Sequence, residues 1–396
     1  MASCFFKIKV IYNMSKRVLF VLPFDHTTGA GGRKKEAIGT LIDAHEKLGY
    51  KVNCITTDYD FNVDEEIKHY ALSFEYKIYA IFSRLKNPTL NKIAKRFLLR
   101  SKRKLIERFH KEHPIDFIFS CSLNSESNLL SYEISNRINV EYVINEHRTV
   151  FQRMLEDGDK FSSRHQKCLD NSKHIFGLTD THRNIIQHYT SVNVSTLPLV
   201  MSNEFLESEV IENDSITISA WTNWRDIKRL DVLVDAFKLL TDTYPSAKLM
   251  IAGPTPDSVT EGYALATIDQ NSLIDKVEFL GPLDRPGIRC LALKTTVCVI
   301  PSDHETFGLP VAEALCSGSP VVTTKCGGPE SFIESGVNGY VTKTGDTKEI
   351  SDRIVDILNN RDRFDRVKIA TNARSIFSTS NLINLLDQSY KSIFKF

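Results

Sequence analysis

The chain has 396 residues, 42% of them hydrophobic and 25% charged, and a net charge of +1. That balance excludes a disordered or fibrous chain, and at roughly 150 residues per domain it predicts two domains. The near-zero charge gives no global pull toward nucleic acid, which is not an expected partner. Eight cysteines occur without a CxxC pair, so neither a zinc cluster nor a disulfide framework is expected, and a reducing cytoplasm fits. No uncharged apolar run reaches the roughly 18 residues of a membrane-spanning helix.

Residues 1–13 read as an extension, because Lys7 and Lys9 cut its apolar pieces and Met14 opens a cleaner first strand. RVLFVLP, starting at Arg17, is a continuous apolar run, the pattern of a strand buried on both faces. A glycine-rich turn, TTGAGG, leads into a helical stretch from Arg33 to Leu48, with Gly49 as its cap. KVNCITTD, DFIFSCS, EYVINEH and HIFGLTD repeat the strand pattern. Between them, residues 77–111 carry twelve Lys and Arg against one acid, Glu107, with apolar residues interleaved. This is a basic amphipathic helix, either packed on the sheet with a solvated face or laid on an anionic membrane surface.

Met201–Asp214 is acidic and punctuated by Asn, and reads as a linker. A second strand series follows: SITISAW, KLMIAG, KVEFLG, VCVIPS, PVVTTKC and GYVTK. Strands alternating with helices predict parallel sheets covered by helices on both faces. The expected division is an acceptor domain over 14–205 and a nucleotide-binding domain over 206–380. A last helix, 381–396, would return to the first half. Two Rossmann-like domains would then face each other across a cleft, with ligands outside the carboxyl ends of the strands.

The most specific stretch is HETFGLPVAEALCSGSPVV, residues 304–322. Gly308 allows close backbone approach to a ligand, and Pro310 suits a first helical turn. The unpaired N–H groups at that helix start form an anion site. Glu305 before the helix and Glu313 inside it can flank a phosphate-bearing ligand, since carboxylates accept strong hydrogen bonds from sugar and ribose hydroxyls.

Together with VVTTKCGGPESFIESGVNGYV, this string resembles the signature of the retaining glycosyltransferases of family 4, which have the GT-B fold. Glu305, Phe307, Gly308, Glu313, Ala314, Gly318, Gly327, Gly328, Pro329, Glu330, Asn338 and Gly339 carry the resemblance. It is dense over 298–341, weaker over 216–297 and patchy before that. It implies that Glu305 contacts the donor sugar, Glu313 the ribose, and the backbone of Phe307, Gly308 and Leu309 the sugar and diphosphate. In SAWTNWRDIKRLDVLVDAF, Lys228 aligns with the family's diphosphate-binding lysine. Ala220 and Trp221 replace the usual Gly-Arg, leaving Arg225 as the candidate second cation.

The turn after the first strand fails as a nicotinamide fingerprint, because Lys34 stands at the third glycine position. Gly31 and Gly32 instead fit the family's Gly-Gly, which lets the backbone approach the diphosphate and acceptor. His147 matches a histidine that the family places near the donor sugar, with Arg148 where an Asp usually follows. Gly253 and the backbone near Leu283 match segments flanking the nucleotide.

The implied activity is that of a hexosyltransferase. It would move a sugar, with retention, from a UDP- or GDP-linked donor to a glycan or lipid-linked acceptor. No metal and no cofactor are expected, since no DxD-type acidic pair precedes a site. The setting would be cytoplasmic or peripheral at the inner membrane face. A sugar-nucleotide epimerase or phosphorylase of the same architecture, and a non-catalytic nucleotide-sugar-binding relative, are the alternatives.

Overall fold

The structure is a computed structural model that describes residues 16–23, 32–57, 65–68, 88–122, 125–211, 215–254 and 259–394. The extension 1–13 and residues 77–87 of the basic segment lie outside the described residues. The chain divides into two compact units, residues 1–121 with 126–143, and residues 122–125 with 144–396.

Six strands form the first sheet: β1 (Arg17–Leu22), β2 (Lys51–Thr56), β3 (Phe117–Ser122), β4 (Tyr142–Glu146), β5 (His174–Gly177) and β6 (Val194–Thr196). Their order is β2-β1-β3-β4-β5-β6, with β1 parallel to both β2 and β3. Six more form the second: β7 (Thr217–Trp221), β8 (Lys248–Ala252), β9 (Val277–Gly281), β10 (Val297–Ile300), β11 (Val321–Thr324) and β12 (Gly339–Thr342). Their order is β12-β11-β10-β7-β8-β9, parallel throughout. The α/β architecture expected from the alternating pattern is therefore present in both halves. Its physical basis is visible in β10, VCVI, which is buried at every residue. A central parallel strand has no solvated face, so its sequence need not alternate.

The second sheet has a switch point between β7 and β10. The chain winds outward from β7 through β8 to β9, then returns to the other side of β7 to lay down β10. Loops leaving two such neighbouring strands diverge and leave a crevice at their carboxyl ends. From β7 the chain enters a 3-10 turn (Asp226–Lys228) and the helix Leu230–Thr243; from β10 it reaches the helix Leu309–Cys316.

The basic segment is helical over Pro88–Glu112. Leu98, Leu105, Ile106 and Phe109 are buried, a spacing that places them on one helix face. Lys102 is buried with them and its Nζ donates to the Thr56 carbonyl at 2.6 Å. Arg103 pairs with Glu133 and Arg137 with Glu107, tying this helix to Ser125–Ile138. Arg100, Lys104 and Lys111 are exposed. Among the described residues no helix is long and apolar enough to cross a membrane.

Gly253 follows β8 with φ +116°, and a Cβ there would lie 1.7 Å from the Thr222 carbonyl oxygen. Its N–H donates to Gly281 O at 2.7 Å, so the segment has no freedom to move aside. Gly253→Ala is expected to lower stability by at least about 2 kcal/mol, read as a reduced urea midpoint. An unchanged midpoint would contradict this packing.

Candidate active site

Lys228 closes the 3-10 turn after β7, its N–H donating to Arg225 O at 2.7 Å. Arg225 is exposed on the same turn. The next residue, Arg229, adopts a left-handed conformation, φ 53° and ψ 57°, which disfavours a residue with a Cβ. Its guanidinium holds the strained turn in place. Nη2 donates to Asp231 at 2.9 Å and Nη1 to Asp303 at 3.3 Å. Asp303 N also donates to Ile227 O at 2.9 Å. The loop after β7 is thus stitched to the loop after β10. Between them, Lys228 Nζ donates to Glu305 Oε1 at 2.7 Å and to His304 O at 3.3 Å. Ser302 Oγ donates to the same Glu305 oxygen at 3.3 Å. Glu305 Oε2 has no donor among the described residues.

The Leu309–Cys316 helix begins beside this pair. Gly308 precedes it with φ 79°, and a Cβ there would fall 2.4 Å from the Pro329 ring. Phe307 turns its ring into the core, stacked edge-on with Phe332 at 5.0 Å and Phe377 at 5.7 Å. The N–H groups of Phe307, Gly308 and Leu309 have no acceptor among the described residues. They supply the partial positive charge of a helix start, which suits an anion. The Gly327–Gly328 loop presses on this segment. Glu305 N donates to Cys326 O at 2.8 Å, and a Cβ at Gly328 would come within 2.5 Å of the Thr306 backbone. The loop's two glycine amides donate to the Glu330 carboxylate at 2.8 and 2.9 Å.

Glu313, one turn inside the helix, is fully buried. Trp221 Nε1 donates to its Oε2 at 2.7 Å and Arg285 Nη1 to its Oε1 at 2.9 Å. A buried carboxylate needs such partners. Trp221, the departure from the expected Gly-Arg, is one of them. Arg285 heads the helix Arg285–Lys294 and lies over the Phe205 ring at 5.8 Å. Leu283, half-buried, stands two residues before it and two residues past the end of β9. Gly253 owes its missing side chain to the Thr222 carbonyl.

At the carboxyl edge of β4, His147 N donates to Ser122 O at 3.1 Å. The helix Val150–Asp157 that follows runs against the site loops. A Cβ on Gly327 would meet the Gln152 side chain, and Glu156 lies 3.5 Å from His304 Nε2. Glu146, the last residue of β4, is fully buried and forked to Arg148. The E-x-R pattern at a strand end is a local signal for such a pair, since residues two apart share a face. Gly32 begins the helix Gly32–Lys47 in the first unit, and Gly31 lies outside the described residues. Lys228, Glu305 and the 307–309 backbone are therefore brought together. Glu313 is adjacent but enclosed.

The two doubly wound parallel sheets define the GT-B class of protein. Sucrose-phosphate synthase from Thermosynechococcus elongatus shares this fold, with a TM-score of 0.70 at 17% identity over 96% of this chain and 99% of that one. So does the Anabaena protein HepE solved with UDP and glucose, with a TM-score of 0.63 at 16% identity over 95% of this chain and 100% of that one. Residues 201–376 match the family model described as glycosyl transferases group 1. N-acetyl-alpha-D-glucosaminyl L-malate synthase of Bacillus anthracis is 31% identical over 157 residues, 39% of this chain and 39% of the relative. The match thus spans about two fifths of that relative's length.

Burial pushes the Glu146 carboxyl up, but the charge and hydrogen bonds of Arg148 outweigh it and hold the carboxyl below its ordinary range. A lowered folded-state value adds stability that is full above the unfolded value of about 4.3 and is lost as pH falls through the folded one. The wild type should therefore lose more stability on acidification below about pH 4 than a Glu146→Gln, Arg148→Gln double variant. Urea midpoints between neutral pH and acid test this; parallel losses would contradict it.

Proposed function

We propose that this chain transfers a glycosyl group from a UDP- or GDP-linked sugar to a hydroxyl of a glycan or lipid-linked acceptor, with retention and without a metal. The observation that carries this reading is Lys228, paired with Glu305 beside the unsatisfied amides of the Leu309 helix, at the switch point of a parallel sheet. HepE was solved with UDP and glucose, and the Bacillus anthracis relative is named for joining N-acetylglucosamine to malate, which supports the same class of chemistry.

In this reading the donor diphosphate lies between Lys228 Nζ and the amides of 307–309, with Arg225 as an outer cation. Glu305, relieved of Lys228, turns to the sugar hydroxyls, and His147 stands near the sugar. Glu313 is fully buried against Trp221 and Arg285, so it meets the ribose only when that enclosure opens. Gly253 and Leu283 flank the base. The exposed Arg100, Lys104 and Lys111 would rest on an anionic membrane surface when the acceptor is lipid-linked.

As the glycosyl–phosphate bond breaks, negative charge grows on the leaving diphosphate. Lys228 and the helix amides are fixed before the reaction, so they favour this charge over the ground state without reorganising. A double displacement would need a carboxylate nucleophile about 5 Å from an acid/base partner. The front-face alternative needs neither, because the departing phosphate takes the acceptor proton.

Lys228→Ala is expected to lower turnover by about 100- to 1000-fold with a folded chain and weakened nucleoside-diphosphate binding. Turnover measured with excess EDTA, together with circular dichroism, tests it; near-normal rates would refute the assignment.

A further inference from the structure

We infer that Arg148, clamped by Glu146, is a fixed reader of an anionic group, a carboxylate or a phosphate, on the molecule that accepts the sugar. This rests on the glycosyl-transfer reading and adds the acceptor's chemistry to it.

The clamp is asymmetric. The Glu146 carboxylate is saturated by five hydrogen bonds. Oε1 accepts from His147 N at 3.1 Å, Arg148 N at 3.0 Å and Arg148 Nε at 2.8 Å. Oε2 accepts from Arg148 Nη2 at 2.7 Å and Ser122 Oγ at 2.9 Å. The guanidinium is not saturated. Of its five N–H groups the fork uses two, and Nη1 has no acceptor among the described residues. Its carbon lies 5.5 Å from the Phe151 ring centre, and that ring is wedged by Phe161 at 4.9 Å and Tyr189 at 5.8 Å. Carboxylate on one edge and ring on one face leave the guanidinium a single orientation, with its side chain 16% exposed.

Its surroundings favour an anion. The helix Ser163–Asp170 brings His165 and Arg164 near. His165 is pushed below its ordinary value first by burial, then by the like charges of Arg148 and Arg164. Glu146, the acid against Arg148, has no capacity left. Position agrees as well. Arg148 lies just beyond the carboxyl end of β4, and the helix it leads into touches Gly327 and His304, next to Glu305.

A purely architectural role explains this poorly. Replacing a buried ion pair by apolar residues is often neutral or stabilising, so stability alone does not call for it. A rigid fork with unspent donors does serve recognition. A site built to satisfy a charged partner discriminates against one lacking it, because its own donors are left unmatched.

The test uses the full chain saturated with whichever of UDP and GDP it binds, so that the diphosphate site is filled. Inorganic phosphate and malonate are then titrated separately by calorimetry. We expect saturable binding of at least one anion, and the stronger arm tells whether the acceptor group is a phosphate or a carboxylate. Because Arg148→Gln alone would strand a buried carboxylate, the Glu146→Gln, Arg148→Gln double variant is the decisive comparison. It should bind the anion at least 10-fold more weakly while keeping its nucleotide affinity. Arg148→Lys, with the charge but no fork, should fall between. Binding of neither anion, or equal binding by wild type and double variant, overturns the inference. Failure of the wild type to bind any nucleoside diphosphate would instead sink the glycosyl-transfer reading beneath it.

Discussion

A lysine ammonium held against a carboxylate is stable but poised, because an incoming diphosphate offers the same ammonium more negative charge. In the proposed function the Lys228–Glu305 pair is that arrangement, and the loops after β7 and β10 hold it. The winding order puts the ends of β7 and β10 side by side. Arg229 accepts a left-handed backbone and pins one loop to the other through Asp303. Gly308 and Gly328 let two backbones and a proline ring pack where side chains would collide. Each of these costs local strain or conformational entropy, and each fixes a loop that borders the Lys228–Glu305 pair.

Charge at the site is arranged in pairs that already satisfy one another. Glu305 holds Lys228, Glu330 caps the glycine-loop amides, and Glu313 is shared by Trp221 and Arg285. Unsatisfied buried charges are costly, so a site for a highly charged ligand keeps internal partners until the ligand replaces them. Among the described residues the amides at 307–309 have no acceptor, and in the proposed function they receive the new negative charge.

Much of the fold was legible because buried parallel strands write themselves as short apolar runs, and VCVIPS or RVLFVLP admit few other readings. Lys228 and Glu305 stood out as charged residues in the loops that follow two such runs, SITISAW and VCVIPS. The enclosure of Glu313 was not legible. Its partner Trp221 lies 92 residues away, and only strand order brings them together. Trp221 stood out in the sequence as a departure without showing what it would do. Gly253 resembled a ligand contact, and the Thr222 carbonyl requires a glycine there whether or not a ligand meets it as well. The pairing of Glu146 with Arg148 is local, an E-x-R spacing around His147 that the sequence carries without showing that the carboxylate is buried.

The central claim is that the donor's diphosphate takes over Lys228 from Glu305. A crystal structure with a bound nucleoside diphosphate tests it most directly. The account predicts phosphate oxygens within hydrogen-bond reach of Lys228 Nζ and the Gly308 and Leu309 amides, with the Lys228–Glu305 contact lengthened. A diphosphate bound elsewhere, with that ion pair intact, would contradict it.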